Sequence, residues 1–204
     1  MIFNKSLKLF LPTVLLCAAA NASTIFNFDN DGLGTSTTFT DTVDGLSATF
    51  SSSADPGGFV IYPTIYATLT GNVLGDPGPA FADNLALDVN FSQNLSAITL
   101  DFATSDFITP SPFTITAYEN SAPVGSASST GQFLSGFTFP EGDISFAGGT
   151  FNQVVISSTA TDFAVDNINV IPTAVPEPAT LGLLGLGLFL TGISSLRRRN
   201  AARE

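Results

Sequence analysis

AITLDFA, residues 97–103, and FTITAY, residues 113–118, decide how this chain folds. In the first, Ile98, Leu100 and Phe102 share one side; in the second, Phe113, Ile115 and Ala117 do. Apolar residues alternating with Thr and Asp at a period of two mark strands with one buried face. Outward from these two, the same pattern recurs in TIFNF, TSTTFT, LSATFSS, FVIY, IYATLT and LALDVNF before them. After them it recurs in FTF, DISFA, FNQVVIS and FAVDNINVI. Turn chemistry separates the runs at Asp44-Gly45, Pro56-Gly57-Gly58, Asp76-Pro77-Gly78-Pro79, Glu119-Asn120 and Gly148-Gly149. No amphipathic helix precedes Pro176. Many short strands with frequent turns predict an all-β domain, a jelly-roll-like β-sandwich over residues 23–173.

Sixteen of the nineteen Phe fall in this region, and the chain has no Trp. Rings of this size, each burying on the order of 150–250 Å², are expected to fill the space between two sheets. Tyr62, Tyr66 and Tyr118 are the better surface candidates, since a phenol hydroxyl stays wet. Two of them flank Pro63 in VIYPTIYA, which reads as an exposed edge or loop.

The ends differ in character. Residues 1–22 read as a secretory signal peptide: Lys5 and Lys8 form the basic region, Leu9 to Ala19 the apolar one, and Ala20-Asn21-Ala22 the cleavage site. The apolar run is too short to stay as a span. Cys17 follows Leu16 rather than a small residue, so it reads as part of the discarded apolar run and not as a lipidation site. The exported chain then has no cysteine, which excludes disulfides and thiolate metal sites.

All six basic residues lie at the ends: Lys5, Lys8, Arg197, Arg198, Arg199 and Arg203. Between Ser23 and Val175 stand fifteen Asp and Glu and no Lys, Arg or His. Nucleic acid is excluded as a partner, because phosphate is bound through Lys and Arg. An anionic lipid surface is excluded for the same reason. Cations and neutral sugars remain compatible. A serine or threonine nucleophile lacks its usual His or Lys base, and zinc lacks its usual ligands. Carboxylate-only chemistry, as in glycoside hydrolysis, would fall to Glu119 and Glu141. Both sit beside turn residues, where a solvated loop is the simpler expectation.

VPEPATLGLLGLGLFLTGISSLRRR, residues 175–199, closes the chain apart from a short tail. Residues 179–196 carry no charge and suffice for a transmembrane helix, about 27 Å at 1.5 Å per residue. Arg197, Arg198 and Arg199 set the topology, with the C-terminus cytoplasmic. Pro176 and Pro178 hold the chain extended just before the span. Motif, helix and basic cluster in this order resemble the PEP-CTERM sorting domain over residues 174–200, also known as the ice-binding protein C-terminal domain. The resemblance implies export across the inner membrane of a Gram-negative bacterium and anchoring there by the helix, facing the periplasm. An exosortase would then process the chain at Pro176, Glu177 and Pro178, releasing it to the surface or the extracellular space. It also implies an association with exopolysaccharide or biofilm, and the missing bases and metal ligands make the expected role non-enzymatic. Thr35, Thr37, Thr38, Thr40 and Thr42 form one threonine cluster, but no repeated rows follow, so an ice-matching face is not supported.

No cofactor is required by the sequence; calcium is the hard cation that its residues suit. Asp29-Asn30-Asp31-Gly32 sets oxygen side chains at alternating positions of a turn, without the later ligands of an EF-hand. DFAVDNINV resembles the closing strand of PEP-CTERM ectodomains. In many jelly-roll carbohydrate-binding modules calcium bridges the first and last strands, which pairs Asp166 with Asp29 and Asp31. Two functions stay open: a structural surface or matrix protein, and a calcium-dependent carbohydrate-binding module. A glycosidase is a more distant third.

Overall fold

Alternation, turn glycines and left-handed asparagines produce a chain of antiparallel strands. The computed structural model describes residues 22–76 and 85–173, which belong to one unit, Asn21–Thr173. The signal peptide, the sorting motif, the 179–196 span and the arginines after it lie outside the described residues. In chain order the strands are β1 (Thr24–Phe26), β2 (Phe39–Val43), β3 (Leu46–Ser51), β4 (Val60–Pro63), β5 (Asn72–Gly75) and β6 (Ala86–Thr104). They continue with β7 (Pro112–Glu119), β8 (Ala122–Thr130), β9 (Gln132–Phe133), β10 (Pro140–Ser158) and β11 (Phe163–Pro172). No helix occurs among the described residues. The all-β, sandwich-like architecture agrees with the expectation from alternation.

Two long strands make the sandwich. The first part of β6 pairs with β3 on one side and with the end of β10 on the other, and β10 continues the layer to β7 and β8. The second part of β6 pairs with β11 and with the start of β10, and β11 leads on to β5 and β4. Both long strands therefore pass from one layer into the other. The β6–β10 register slips between Ala147 and Phe151 and again before Gln153. Gly149 stands there at φ 65°, a bulge conformation that suits glycine. The Gly148-Gly149 break thus bends one strand instead of separating two.

The hairpin turns follow their sequence. Asp44 and Gly45 (φ 50° and 79°) join β2 to β3, and Asn120 and Ser121 (φ 49° and 70°) join β7 to β8. Two consecutive left-handed residues match the twist of two-residue hairpins.

The core is phenylalanine-rich. Phe102 of β6 and Phe113 of β7 stack with centroids 4.1 Å apart and planes 5° from parallel. Phe163 meets Phe113 edge-on at 5.3 Å, and Phe26, Phe28 and Phe39 gather around Phe50. Filling between the layers accounts for most of the rings. Phe107, Phe133 and Phe137 do not share it and are exposed.

A candidate binding cleft on the outer face of the sheet

One face of the sheet points away from the core and carries a second, small apolar cluster. Gly75 pairs with Ala164, Ala164 with Ala103, and Ala103 with Glu141, so three small residues and one carboxylate cross β5, β11, β6 and β10 in a row. Over this shallow row Leu69, Val73, Ala103 and Ala164 are buried together, with Tyr62 and Tyr66 packed against them. IYATLT, expected as a strand, is instead the loop that caps this face. A Cβ on Gly75 would stand 2.8 Å from Tyr62 Oη. Glycine there gives the phenol its seat.

Carboxylates hold the loop down. Glu141 Oε2 accepts from the backbone N–H of Thr68 at 2.6 Å and from its hydroxyl at 2.7 Å, while Oε1 accepts from the N–H of Ala67 at 2.8 Å. Asp166 Oδ2 accepts from the N–H of Thr70 at 2.9 Å, and Asp29 Oδ1 from that of Asn72 at 2.9 Å. Three acids on three separate strands or turns thus bind the backbone donors that a strand would have given to a neighbour. With no Lys, Arg or His between Ser23 and Val175, N–H and hydroxyl groups are the partners that remain. Gly71 fits this packing, because its φ is +66° and a Cβ would overlap the Asp29 carboxylate. Expected as solvated, Glu141 is only 3% exposed. Its partners lie 73 and 74 residues away, beyond reach of local reading.

The residues expected to hold calcium are partly brought together. Asp166 sits at a bulge of β11, where Asn167 takes φ 49°, and it is fully buried. Its acidity is lowered mainly by burial and further by the charges of Asp29 and Asp101. The N–H groups of Thr70 and Asn167 oppose this, and its pKa is raised to about 6. Asp31 lies elsewhere, its pKa raised by burial and by Asp41. Among the described residues no group of three His, Cys, Asp or Glu is arranged to hold a metal ion. Asp29 Oδ1 and both oxygens of Asp166 accept backbone hydrogens.

Beside the loop opens a cleft of about 260 Å³, lined by Tyr62, Ile65, Tyr66, Phe139 and Phe163 together with the polar Ser105, Asp76 and Asp162. The two phenol hydroxyls meet at 3.1 Å. Burial, and then the neighbouring phenol, holds Tyr62 far above the ordinary tyrosine pKa, so it stays protonated. Asp162 is raised to about 6, first by burial and then by the charge of Asp76, to which its carboxyl is hydrogen-bonded. The Asp162 backbone is fixed on both sides: its N–H donates to Ser105 Oγ at 2.9 Å and its carbonyl accepts from the Ser105 N–H at 3.0 Å. Next to it, Asp106 accepts from Thr104 Oγ1 and from Ser111 N and Oγ at 2.7–2.8 Å. This anchors the loop whose tip presents Phe107 and Ile108. Of the cleft, the sequence signalled only the tyrosine pair in VIYPTIYA. Asp76 and Asp162 come from segments with no local mark of a site.

Titration of these acids has a definite sign. Asp162 and Asp166 bind protons more tightly folded than unfolded, so their contribution is fully present below about pH 4 and is lost as pH rises through about 6. Melting temperature is expected to fall between about pH 4 and 6.5. For Asp166 the effect is of order 2 kcal/mol, and it is smaller for the more solvated Asp162. General repulsion among the acids acts in the same direction. The Asp166→Asn variant separates the two, because it should flatten the slope; an unchanged slope would contradict the assignment.

In structure the chain is similar to the K2 cleaved adhesin domain of Lys-gingipain, with a TM-score of 0.51 and 12% identity over 76% of this chain and 99% of that one. It is also similar to the K1 cleaved adhesin domain of Lys-gingipain from Porphyromonas gingivalis (0.47, 9%, 75% and 99%). A third similar structure is the family 11 carbohydrate-binding module of a cellulosomal cellulase of Clostridium thermocellum (0.38, 12%, 78% and 99%). The first of these likenesses supports the fold and nothing further. No curated protein matches the chain. Residues 174–199 match the PEP-CTERM protein-sorting motif. The chain therefore carries the PEP-CTERM sorting signal, which implies export and a membrane-anchored C-terminal tail.

Proposed function

We propose that this chain is an exported, non-enzymatic protein of the cell surface or extracellular matrix whose β-domain holds neutral exopolysaccharide. The observation that carries this is the cleft that Tyr62, Tyr66 and Phe139 line together with the Asp76–Asp162 pair. Aromatic walls offer apolar area to the C–H faces of sugar rings, and carboxyl oxygens accept from sugar hydroxyls. Cleft acids and the lack of any base between Ser23 and Val175 repel anionic polymers. The hydrogen-bonded pair is too close to flank a glycosidic bond, which takes carboxyl groups about 5–9.5 Å apart. Glu119, at the β7–β8 turn, follows Tyr118, whose partner Gln153 stands well along β10 from Glu141 at that strand's start. A binding role suits these acids better than hydrolysis. Affinity electrophoresis of the full chain in detergent should show retardation by neutral glucans, mannans, galactans or xylans and none by alginate. No retardation by any neutral polymer, or equal retardation by alginate, would sink the reading.

In this reading residues 1–22 are removed on export, 23–173 act outside, and 174–200 direct sorting. An exosortase reads Pro176, Glu177 and Pro178 after the 179–196 helix has anchored the chain with Arg197–Arg199 inside. In a host encoding an exosortase, Glu177→Ala should leave the chain in the membrane fraction at full length while the parent chain is processed. Identical processing of both would show that Glu177 is not read.

A further inference from the structure

The cleft is one of a row of depressions. It shares Ile65, Tyr66 and Phe139 with a second of about 280 Å³, which runs along Phe137 to Glu141. Glu141 also lines a third, of about 320 Å³, that continues past Thr130 and Gln132. In the other direction Ser105 joins the cleft to a wider hollow of about 710 Å³ along Phe107 and Ile108. Three of the four hollows lie near or below the lower end of the 300–1,000 Å³ range of pockets that bury a compact ligand. These three are small for a compact ligand and the fourth is a broad surface hollow, so together they suit an extended ligand better than any one of them suits a small molecule.

The aromatic rings follow the same line. Tyr62 touches Tyr66 through the hydroxyls, Tyr66 meets Phe139 at 6.0 Å between centroids, and Phe139 meets Phe107 at 5.4 Å. Exposed large apolar residues also concentrate here. Ile65, Phe107, Ile108 and Phe137 are four of the seven in the described structure, with Ile108 88% exposed. An apolar strip of this kind left in water marks a contact surface. Phe107 and Ile108 are held out on a loop fixed by four Asp106 and Ser105 hydrogen bonds, so their exposure is built into the fold.

We propose that these depressions form one groove that takes several consecutive units of a linear neutral polysaccharide, with Tyr66 near its middle and Phe107 toward one end. The proposal rests on the polysaccharide reading above. It adds that the ligand lies lengthwise across the loops, so affinity depends on chain length.

The test is isothermal titration of the full chain in detergent with linear neutral oligosaccharides of one to about six units, drawn from a polymer that retards it. Affinity should rise with each unit and level off only at about four or more. Phe107→Ala, on a residue 68% exposed, should weaken binding of the longest oligosaccharide by about three- to tenfold and leave a disaccharide unaffected. Tyr66→Ala should weaken both. If a disaccharide binds as tightly as the longest chain, or Phe107→Ala weakens both equally, the groove is overturned while the polysaccharide reading stands. If no neutral polymer or oligosaccharide binds, both fall together.

Discussion

Replacing Glu141 with alanine should lower the stability of the β-domain by about 3 kcal/mol and abolish ligand binding at the cleft. The carboxylate is almost fully buried and accepts from two backbone N–H groups and one hydroxyl of a single loop. Hydrogen bonds to a charged group contribute about 1.5–3 kcal/mol each, and a buried donor left alone costs about 1–3 kcal/mol. The sum is not reached, because Ala67 and Thr68 lie at the surface and water reaches them once released. For a domain of this size a loss of about 3 kcal/mol lowers the melting temperature by about 6–12 °C. Glu141→Gln keeps one carbonyl acceptor but turns an amide donor toward the donors of the loop, so about half the loss is expected. Calorimetric melts of the three proteins check this. An alanine variant melting within 2 °C or so of the parent would show that the loop does not depend on Glu141.

A comparable loss should follow Phe113→Ala, about 4 kcal/mol. Its ring is wholly buried, stacked on Phe102 and met edge-on by Phe163, so truncation leaves a cavity that joins both layers. Ring pairs of this kind add about 0.5–1.5 kcal/mol to the burial itself. Phe107→Ala is the control, since a ring already in water is expected to change stability by less than about 0.5 kcal/mol. Chemical denaturation of the two variants should separate them by several kcal/mol. Equal, small effects would mean that the stack does not hold the layers together.

The two rings illustrate what the sequence reveals. Alternation identifies Phe113 as inward because Ile115 and Ala117 share its side, and the structure agrees. The Asp44-Gly45 and Glu119-Asn120 turns are legible because left-handed residues are chemically distinct. IYATLT and FTF carry strand-like composition but form loops; in IYATLT the N–H groups of Ala67, Thr68 and Thr70 go to acids from distant strands. APVGSASST gives no apolar alternation, yet it forms β8 by pairing along β7. Small residues suffice at a sheet edge with little to bury. LALDVNF and AITLDFA read as two strands but are one, because Phe91 to Leu95 carries the chain between layers without breaking it. Of the cleft, only Tyr62 and Tyr66 are marked in the sequence. Asp76, Asp162 and Phe139 reach it through strand pairing, which no local pattern encodes.

A loop held by carboxylates presents Tyr66 to a neutral polysaccharide in the proposed function. The most direct test is the affinity of the full chain and of Tyr66→Ala for the same neutral polymer, with melting curves recorded on both. Tyr66 packs on the small outer cluster rather than in the main core, so the variant should still melt cooperatively. At least about a tenfold loss of affinity is expected, with that fold retained. Unchanged affinity in a folded Tyr66→Ala protein would contradict it.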